Sequence, residues 1–319
     1  MKLLLHTCCA PCSVYCIDTL RKEGIEPVLY WYNPNIHPYI EYKARRDCLK
    51  EYAKSINVQA IFEEEYGLDE FCKNVCNNLK SRCVNYCYPV RLRKTFEYAK
   101  KNGYDTVSTT LLYSIYQNHE FIKSYMEKLS EEFGIAFLYR DFREGFWKGH
   151  EKAKELELYM QKYCGCIFSE EDRYQKKIDK DMNISRHSII IIQNKKNEYL
   201  QYFDKEWQSY LFLNCKLPNG KDSNAIINRI EDLLRIRKDN IEVKYCDSRK
   251  HKKFSQSAKK EKEYIHYFYK VELLEELENN EFKINDVNYK WFSYKELLQD
   301  KRIQEVNSDI VQFVKEIYV

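Results

Sequence analysis

The sequence predicts an α/β protein: a parallel sheet clothed by helices in the amino-terminal half, followed by a mixed α+β domain. Three observations carry this. Short apolar runs of strand length alternate with helical stretches up to about residue 178, the signature of a right-handed parallel sheet. Between residues 176 and 185 the pattern changes to short strands separated by turn signals. The chain has 319 residues, natural for two domains, and 44% of them are hydrophobic, enough for real cores.

The first strand is KLLLHT, residues 2–7, and CCAPCSVYC at 8–16 opens a helix through Leu20 and Arg21. PVLYWY at 27–32 reads as a buried strand, ended by the two prolines of NPNIHPY. Residues 40–55 are helical with Lys43, Arg45, Arg46 and Lys50, mostly exposed; 58–62 form a third strand and 66–79 a short helix. RCVNYCYPVRLRKTFEYAKKNG, residues 82–103, leads a cysteine pair into a basic helix stopped by Gly103. A strand at 105–112, a helix at 117–133 closed by Gly134, and a strand at 135–139 follow. A long charged helix at 147–163 runs into CGCIFSEED. Beyond it, strands are expected at 188–193, 199–203, 211–213, 241–245 and 264–273, with helices at 225–236 and 294–318. The basic run RKHKKFSQSAKKEK, residues 249–262, is expected in a loop.

Net charge is +4, which permits an RNA partner without requiring one. Met1 leads straight into a strand too short for a signal peptide or a membrane span, so a cytoplasmic, membrane-free protein is expected. The cysteines are lopsided: of 13, eleven lie between Cys8 and Cys166. In a reducing compartment, metal binding or redox catalysis reads better than a disulfide scaffold.

Helical packing accounts for Cys12 or Cys16 alone, but not for adjacent Cys8 and Cys9 at a turn. That turn lies at the carboxyl end of a strand and the start of a helix, where α/β sheets place their chemistry and where thiolates are favoured. Clustered thiolates select zinc or iron–sulfur. Cys83 and Cys87 add a C-x3-C pair, bringing the count to the four that a 4Fe-4S cluster or a tetrahedral zinc needs; residue types leave the two metals open. Cys164-Gly165-Cys166 suits a strained, easily reduced disulfide more than two further ligands. Thr109, Thr110, Tyr113 and Ser114 stand at a strand end, as substrate contacts or as helix caps. Asp141 and Arg143 form a surface ion pair or position phosphate or ribose.

HTCCAPC, YNPNIHPY, RC…CYPVRL, STTLLYSIYQNHE, LYRDFREGFWKG and YCGCIFSEED occur in this order over residues 1–178. Together they resemble the epoxyqueuosine reductase QueH family. The resemblance implies a Rossmann-like sheet and a cytoplasmic oxidoreductase of tRNA queuosine biosynthesis. Such an enzyme reduces the epoxide of epoxyqueuosine at the wobble position with a 4Fe-4S cluster, without cobalamin. By motif, Cys8, Cys9, Cys83 and Cys87 match the cluster ligands, and Cys164 with Cys166 the redox-active pair. It further implies a tRNA substrate and an external electron donor, and allows a second, mononuclear iron. The sequence departs from the C-x2-C expected of the family at Cys83-Val84-Asn85-Tyr86-Cys87.

The remainder resembles a Nudix domain, giving expected domains of 1–182 and 183–319. Its helix at 224–236 stands where the Nudix box belongs, yet Asn228, Arg229, Ile230, Glu231, Asp232 and Leu233 replace REXXEE. One acidic side chain in register does not hold magnesium, so this domain is expected to be non-catalytic, with tRNA recognition through residues 249–262 as its expected role. Two rivals stand against this reading. A pyrophosphate-splitting tRNA thiolase needs a glycine-rich first turn, and His6-Thr7-Cys8-Cys9-Ala10-Pro11-Cys12 has no glycine. A zinc-stabilised RNA-binding protein without catalysis is separated by colour and iron content.

Overall fold

A computed structural model describes residues 1–216, 223–255, 259–274, 277 and 279–318. The chain divides into two compact units, Met1–Arg173 and Tyr174–Val319. The division falls inside a helix, α7 (Ile167–Asp181).

In the amino-terminal unit, β1 (Leu3–His6), β2 (Val28–Trp31), β3 (Ala60–Phe62), β4 (Thr106–Thr109) and β5 (Ala136–Phe137) form one sheet in the order β3-β2-β1-β4-β5. Every pairing is parallel. Crossovers run through α1 (Ala10–Lys22), α2 (Tyr39–Ser55), α4 (Tyr88–Lys101) and α5 (His119–Phe133). Leu3, Leu4 and Leu5 are all buried because helices cover both faces of the sheet, so β1 reads as a continuous apolar run rather than an alternating one. The strand order reverses at β1, and the crevice between the carboxyl ends of β1 and β4 is where such sheets bind ligands.

The helix expected at 147–163 is shorter: α6 spans Phe146–Glu155, and Glu157, at φ 52°, breaks it. The helix expected at 66–79 contracts to α3 (Leu68–Val75). Gly145 sits against Tyr15, whose ring would lie 2.0 Å from an added Cβ, so only glycine admits this approach of backbone to ring.

In the carboxyl-terminal unit, β6 (Ile184–Ile192), β7 (Glu198–Asp204), β8 (Ser209–Cys215), β9 (Ile241–Ser255), β10 (Lys260–Leu273), β11 (Glu281–Ile284) and β12 (Val287–Ser293) form a mixed sheet. Its order is β11-β12-β7-β8-β6-β10-β9, with β6 and β10 parallel and the other pairs antiparallel. The SIIII run is apolar throughout because β6 is sandwiched. Ile190 and Ile192 pack with α8 (Ser223–Leu234), while Ile189 and Ile191 pack with α9 (Tyr294–Gln299) and α10 (Lys301–Tyr318). The basic run is not a loop where it is described. Arg249–Ser255 and Lys260–Lys262 are arms of β9 and β10, paired from Ser255↔Lys260 to Arg249↔His266, and residues 256–258 lie outside the described residues.

Candidate redox and metal site

The first turn is built by the ends of β1 and β4. His6 Nδ1 meets Thr109 Oγ1 at 2.9 Å. The Cys8 amide donates to Thr110 Oγ1 at 3.2 Å, and the Thr110 hydroxyl lies 3.5 Å from Cys8 Sγ. Thr109 also caps the helical turn after β4, accepting from the Leu111 amide at 3.1 Å. Cys9 occupies the cap position of α1 with extended backbone, and Pro11 begins the helix, where its missing N–H costs nothing.

Sulfur atoms of Cys8, Cys9 and Cys12 come within 4.8 Å of one another. Cys8 and Cys9 stand 3.8 Å apart, and Gln161 Nε2 donates to Cys12 Sγ at 3.3 Å. Hydrogen bonds from the Cys12 and Cys9 thiols pull the Cys8 thiol below its ordinary value. Burial pushes Cys9 up, and hydrogen bonding to Cys8 pushes Cys12 up. Of the three thiols, Cys8 is the one disposed to ionise, and it stands at a helix N-terminus, which favours a thiolate. Burial, aided by Arg91, holds His6 near 3, so its imidazole is neutral. From sequence Cys12 is only the next candidate ligand after Cys8, Cys9, Cys83 and Cys87, since its helical spacing also has a packing explanation. That explanation fits Cys16, which is buried and bonds back to the Cys12 carbonyl at 3.3 Å.

The second pair lies on a π-helical turn, Cys83–Cys87, closed by the Tyr88 amide bonding back to the Cys83 carbonyl. A π turn is how a helix absorbs one inserted residue. Within this turn the Cys83 and Cys87 thiols are hydrogen-bonded to each other. Cys87 is joined by Cys166 in a small buried cluster with Phe71 and Val75. The Cys87 thiol donates to Cys166, which lowers Cys166 to about 5 with help from Ser169 and Arg82 and raises Cys87 in turn. The Cys83 thiol falls to about 7, chiefly through its hydrogen bond with Cys87.

Cys164 and Cys166 face different neighbours. Cys164 is exposed as a residue, and its sulfur accepts from Gln117 Nε2 at 3.4 Å. All thirteen cysteines are free thiols in this structure. Arg45, whose side chain is 2% exposed, fixes the segment: it donates to the carbonyls of Tyr163 and Cys164 at 2.8 Å each and pairs with Glu41 at 2.7 Å. The charge of Arg45 acts on both Cys9 and Cys164, and that of Arg91 on His6, Cys83, Cys87 and Cys164. Two buried guanidiniums thus serve both cysteine sets, and Arg91 Nη2 has no hydrogen-bond partner. Among the described residues, no group of three or more metal-binding side chains within 4.8 Å of one another draws on both sets.

Asp141 and Arg143 form a surface ion pair at 2.5 Å. No helix among the described residues is long and apolar enough to cross a membrane.

The profile of the family described as "Epoxyqueuosine reductase QueH" matches residues 3–172. Among relatives, the epoxyqueuosine reductase QueH of Dehalococcoides mccartyi is 38% identical over 175 residues, covering 55% of this chain and 96% of that protein. The Thermotoga maritima QueH is 32% identical over 183 residues, covering 54% of this chain and 93% of that protein. Among solved structures, a C. elegans Ap4A hydrolase covers 42% of this chain and 98% of its own, at 13% identity and a TM-score of 0.30. A Nudix hydrolase from Nitrosomonas europaea covers 42% and 87%, at 10% identity and a TM-score of 0.30. The match over residues 3–172 spans more than half of the chain, which is therefore a member of the QueH epoxyqueuosine reductase family.

Proposed function

We propose that the amino-terminal unit reduces the epoxide of epoxyqueuosine at the tRNA wobble position, with a 4Fe-4S cluster held by Cys8, Cys9, Cys83 and Cys87 and electrons relayed by Cys164 and Cys166. The observation that carries this is a buried arginine beside each thiol set, Arg45 acting on Cys9 and Arg91 on Cys83 and Cys87, with both acting on Cys164 and one guanidinium nitrogen of Arg91 unpartnered. Buried cations beside thiolates fit a group whose net charge is negative. Ligating sulfurs of a four-iron cluster stand farther apart than those around one ion, which suits ligands drawn from both sets. Cys12, whose sulfur lies within 4.8 Å of both Cys8 and Cys9, is the further candidate ligand beside the cluster. When bound, the cluster supplies one-electron transfer.

Opening the epoxide to an alkene breaks two C–O bonds and consumes two electrons and two protons, releasing the oxygen as water. Closing Cys164 and the Cys166 thiolate into a disulfide yields two electrons and the Cys164 proton, the second proton comes from solvent, and an external reductant reopens the bond. Cys166 is the better nucleophile of the two, being held near 5 while burial pushes Cys164 up. The carboxyl-terminal unit is read as a non-catalytic module. Its α8 buries Ile226, Ile230 and Leu234, and Glu231 is paired with Lys238 at 3.4 Å.

The test is anaerobic purification with iron and sulfide analysis, then turnover on tRNA carrying epoxyqueuosine. Four iron and four sulfide per chain, or five iron with the mononuclear site filled, is the expected result. Single Ala variants at Cys8, Cys9, Cys83 or Cys87 should lose the visible absorption, whereas Cys164→Ser and Cys166→Ser should keep it and lose turnover. Colourless protein with zinc and no activity would establish the RNA-binding alternative.

A further inference from the structure

The carboxyl-terminal unit carries a row of histidines that nothing in the reductase chemistry uses. The registers His251↔Tyr264, His266↔Arg249 and His266↔His187 set His251, His266 and His187 on one face of three adjacent strands, β9, β10 and β6. This face is also that of Ile189, Ile191 and Phe268, which α10 covers. Asp309, on α10, meets the row. One donor atom from each of His251, His266 and Asp309 lies within 4.8 Å of the others. The His251 and His266 rings are 4.8 Å apart and inclined at 65°.

Two features point to a ligand. His266 is 8% exposed, and its Nδ1 has no hydrogen-bond partner. His251 Nε2 lies 3.0 Å from Asp309 Oδ2, yet both atoms lack the geometry of a hydrogen bond. Buried polar atoms are normally paired, so two imidazoles and a carboxylate that converge without mutual hydrogen bonds have donor atoms to offer a ligand. Lys253 Nζ, 3.1 Å from Asp309 Oδ1, is a cation already seated on the carboxylate's other oxygen.

We propose that His251, His266 and Asp309 form a divalent transition-metal site, of the kind zinc fills with two imidazoles, one carboxylate and a water. Nitrogen and carboxylate donors in a three-ligand set suit zinc; magnesium and calcium prefer all-oxygen shells. Tetrahedral zinc at about 2.0–2.1 Å from each donor sets the donors about 3.3 Å apart, so His251 Nε2 and Asp309 Oδ2, now 3.0 Å apart, need only a small adjustment. The ion would staple the last helix to the edge of the sheet, independently of the cysteine centre.

The test uses the full chain with its cysteine centre as isolated, gel-filtered against a chelator, then given zinc and desalted. Wild type should retain one zinc more than His251→Gln or Asp309→Asn, with iron content unchanged in all three. Competition against a chelating indicator should show each variant weakened by at least about 100-fold, since even outer-shell partners are worth 10–100-fold. Lys253→Met, which removes the competing ammonium, should bind zinc more tightly than wild type. His251 is only half-buried, so its variant should fold, as circular dichroism checks. Equal zinc retention in wild type and both ligand variants, or weaker binding by Lys253→Met, would overturn the site and leave an ion-pair cluster.

Discussion

Replacing Arg45 by Met tests how the Cys164–Cys166 segment is held. The side chain is 2% exposed and fully engaged: one ion pair to Glu41 at 2.7 Å and two hydrogen bonds, at 2.8 Å each, to the Tyr163 and Cys164 carbonyls. Methionine fills a similar volume but leaves the Glu41 carboxylate, 10% exposed, without its cation. Breaking a buried pair from one side costs about 3–5 kcal/mol, because the surviving charge stays desolvated. Tyr159, which also donates to Glu41, offsets part of this. The expected loss is about 3 kcal/mol, which corresponds to roughly 150-fold faster exchange at 1.36 kcal/mol per decade. The assay is hydrogen exchange by mass spectrometry on peptides covering residues 41–52 and 159–169. Both should lose protection together, while peptides in β6 to β8 should not change. Adding Glu41→Leu should restore most of the protection, because removing both charges costs far less than stranding one. Arg45→Lys should behave like Met for the two carbonyls, since one ammonium does not reproduce the fork. Unchanged exchange in Arg45→Met, or no recovery in the double variant, would refute the reasoning.

Three further outcomes follow from the same geometry. In reduced, metal-free protein Cys166 should be a thiolate at pH 7; the ultraviolet thiolate signal lost between wild type and Cys166→Ser should titrate near pH 5. Because its folded value lies below the ordinary thiol value, this group's stabilisation is present above about pH 8.5 and lost as pH falls toward 5, and chemical denaturation across that range reads the sign. Deleting Asn85, which is exposed in the π turn, should convert the turn to α-helix with iron content retained, and loss of iron would show that the extra residue sets ligand geometry rather than being absorbed. The cavity of about 570 Å³ beside α7, lined by Lys176, Lys180, Arg186, Lys216, Lys260 and Lys262, is the phosphate-contact candidate; changing Lys176, Lys180, Lys260 and Lys262 to Ala should reduce the salt slope of tRNA binding by about 3, and an unchanged slope removes this surface from tRNA recognition.

The sheet was legible because its signals are local: runs such as LLL in β1 and IIII in β6 declare burial on both faces without any partner being known. The basic run at 249–262 misled for the opposite reason. Its lysines and arginine suggested a solvated loop, but on β9 and β10 they alternate across an edge pair and find partners set only by the fold: Glu316 for Arg249, Glu263 for Lys250 and Asp309 for Lys253. Charge on an edge strand is a normal protection against edge-to-edge pairing, so composition alone does not separate it from a loop.

The site shows the same division between local and distant information. Adjacent Cys8 and Cys9 announced chemistry because no packing argument needs both, whereas Cys12 ranked behind them because its spacing also fits a helix face. The contact of Cys166 with Cys87 was illegible, because it depends on α3 supplying Phe71 and Val75 and on Arg45 turning the preceding carbonyls inward. The departure from C-x2-C looked like a defect when counted along the chain. In the helix it becomes a turn of different pitch that keeps both sulfurs on one side. A motif counted in residues is a proxy for atoms held in place, and here the extra residue sits in a π turn whose two thiols remain hydrogen-bonded.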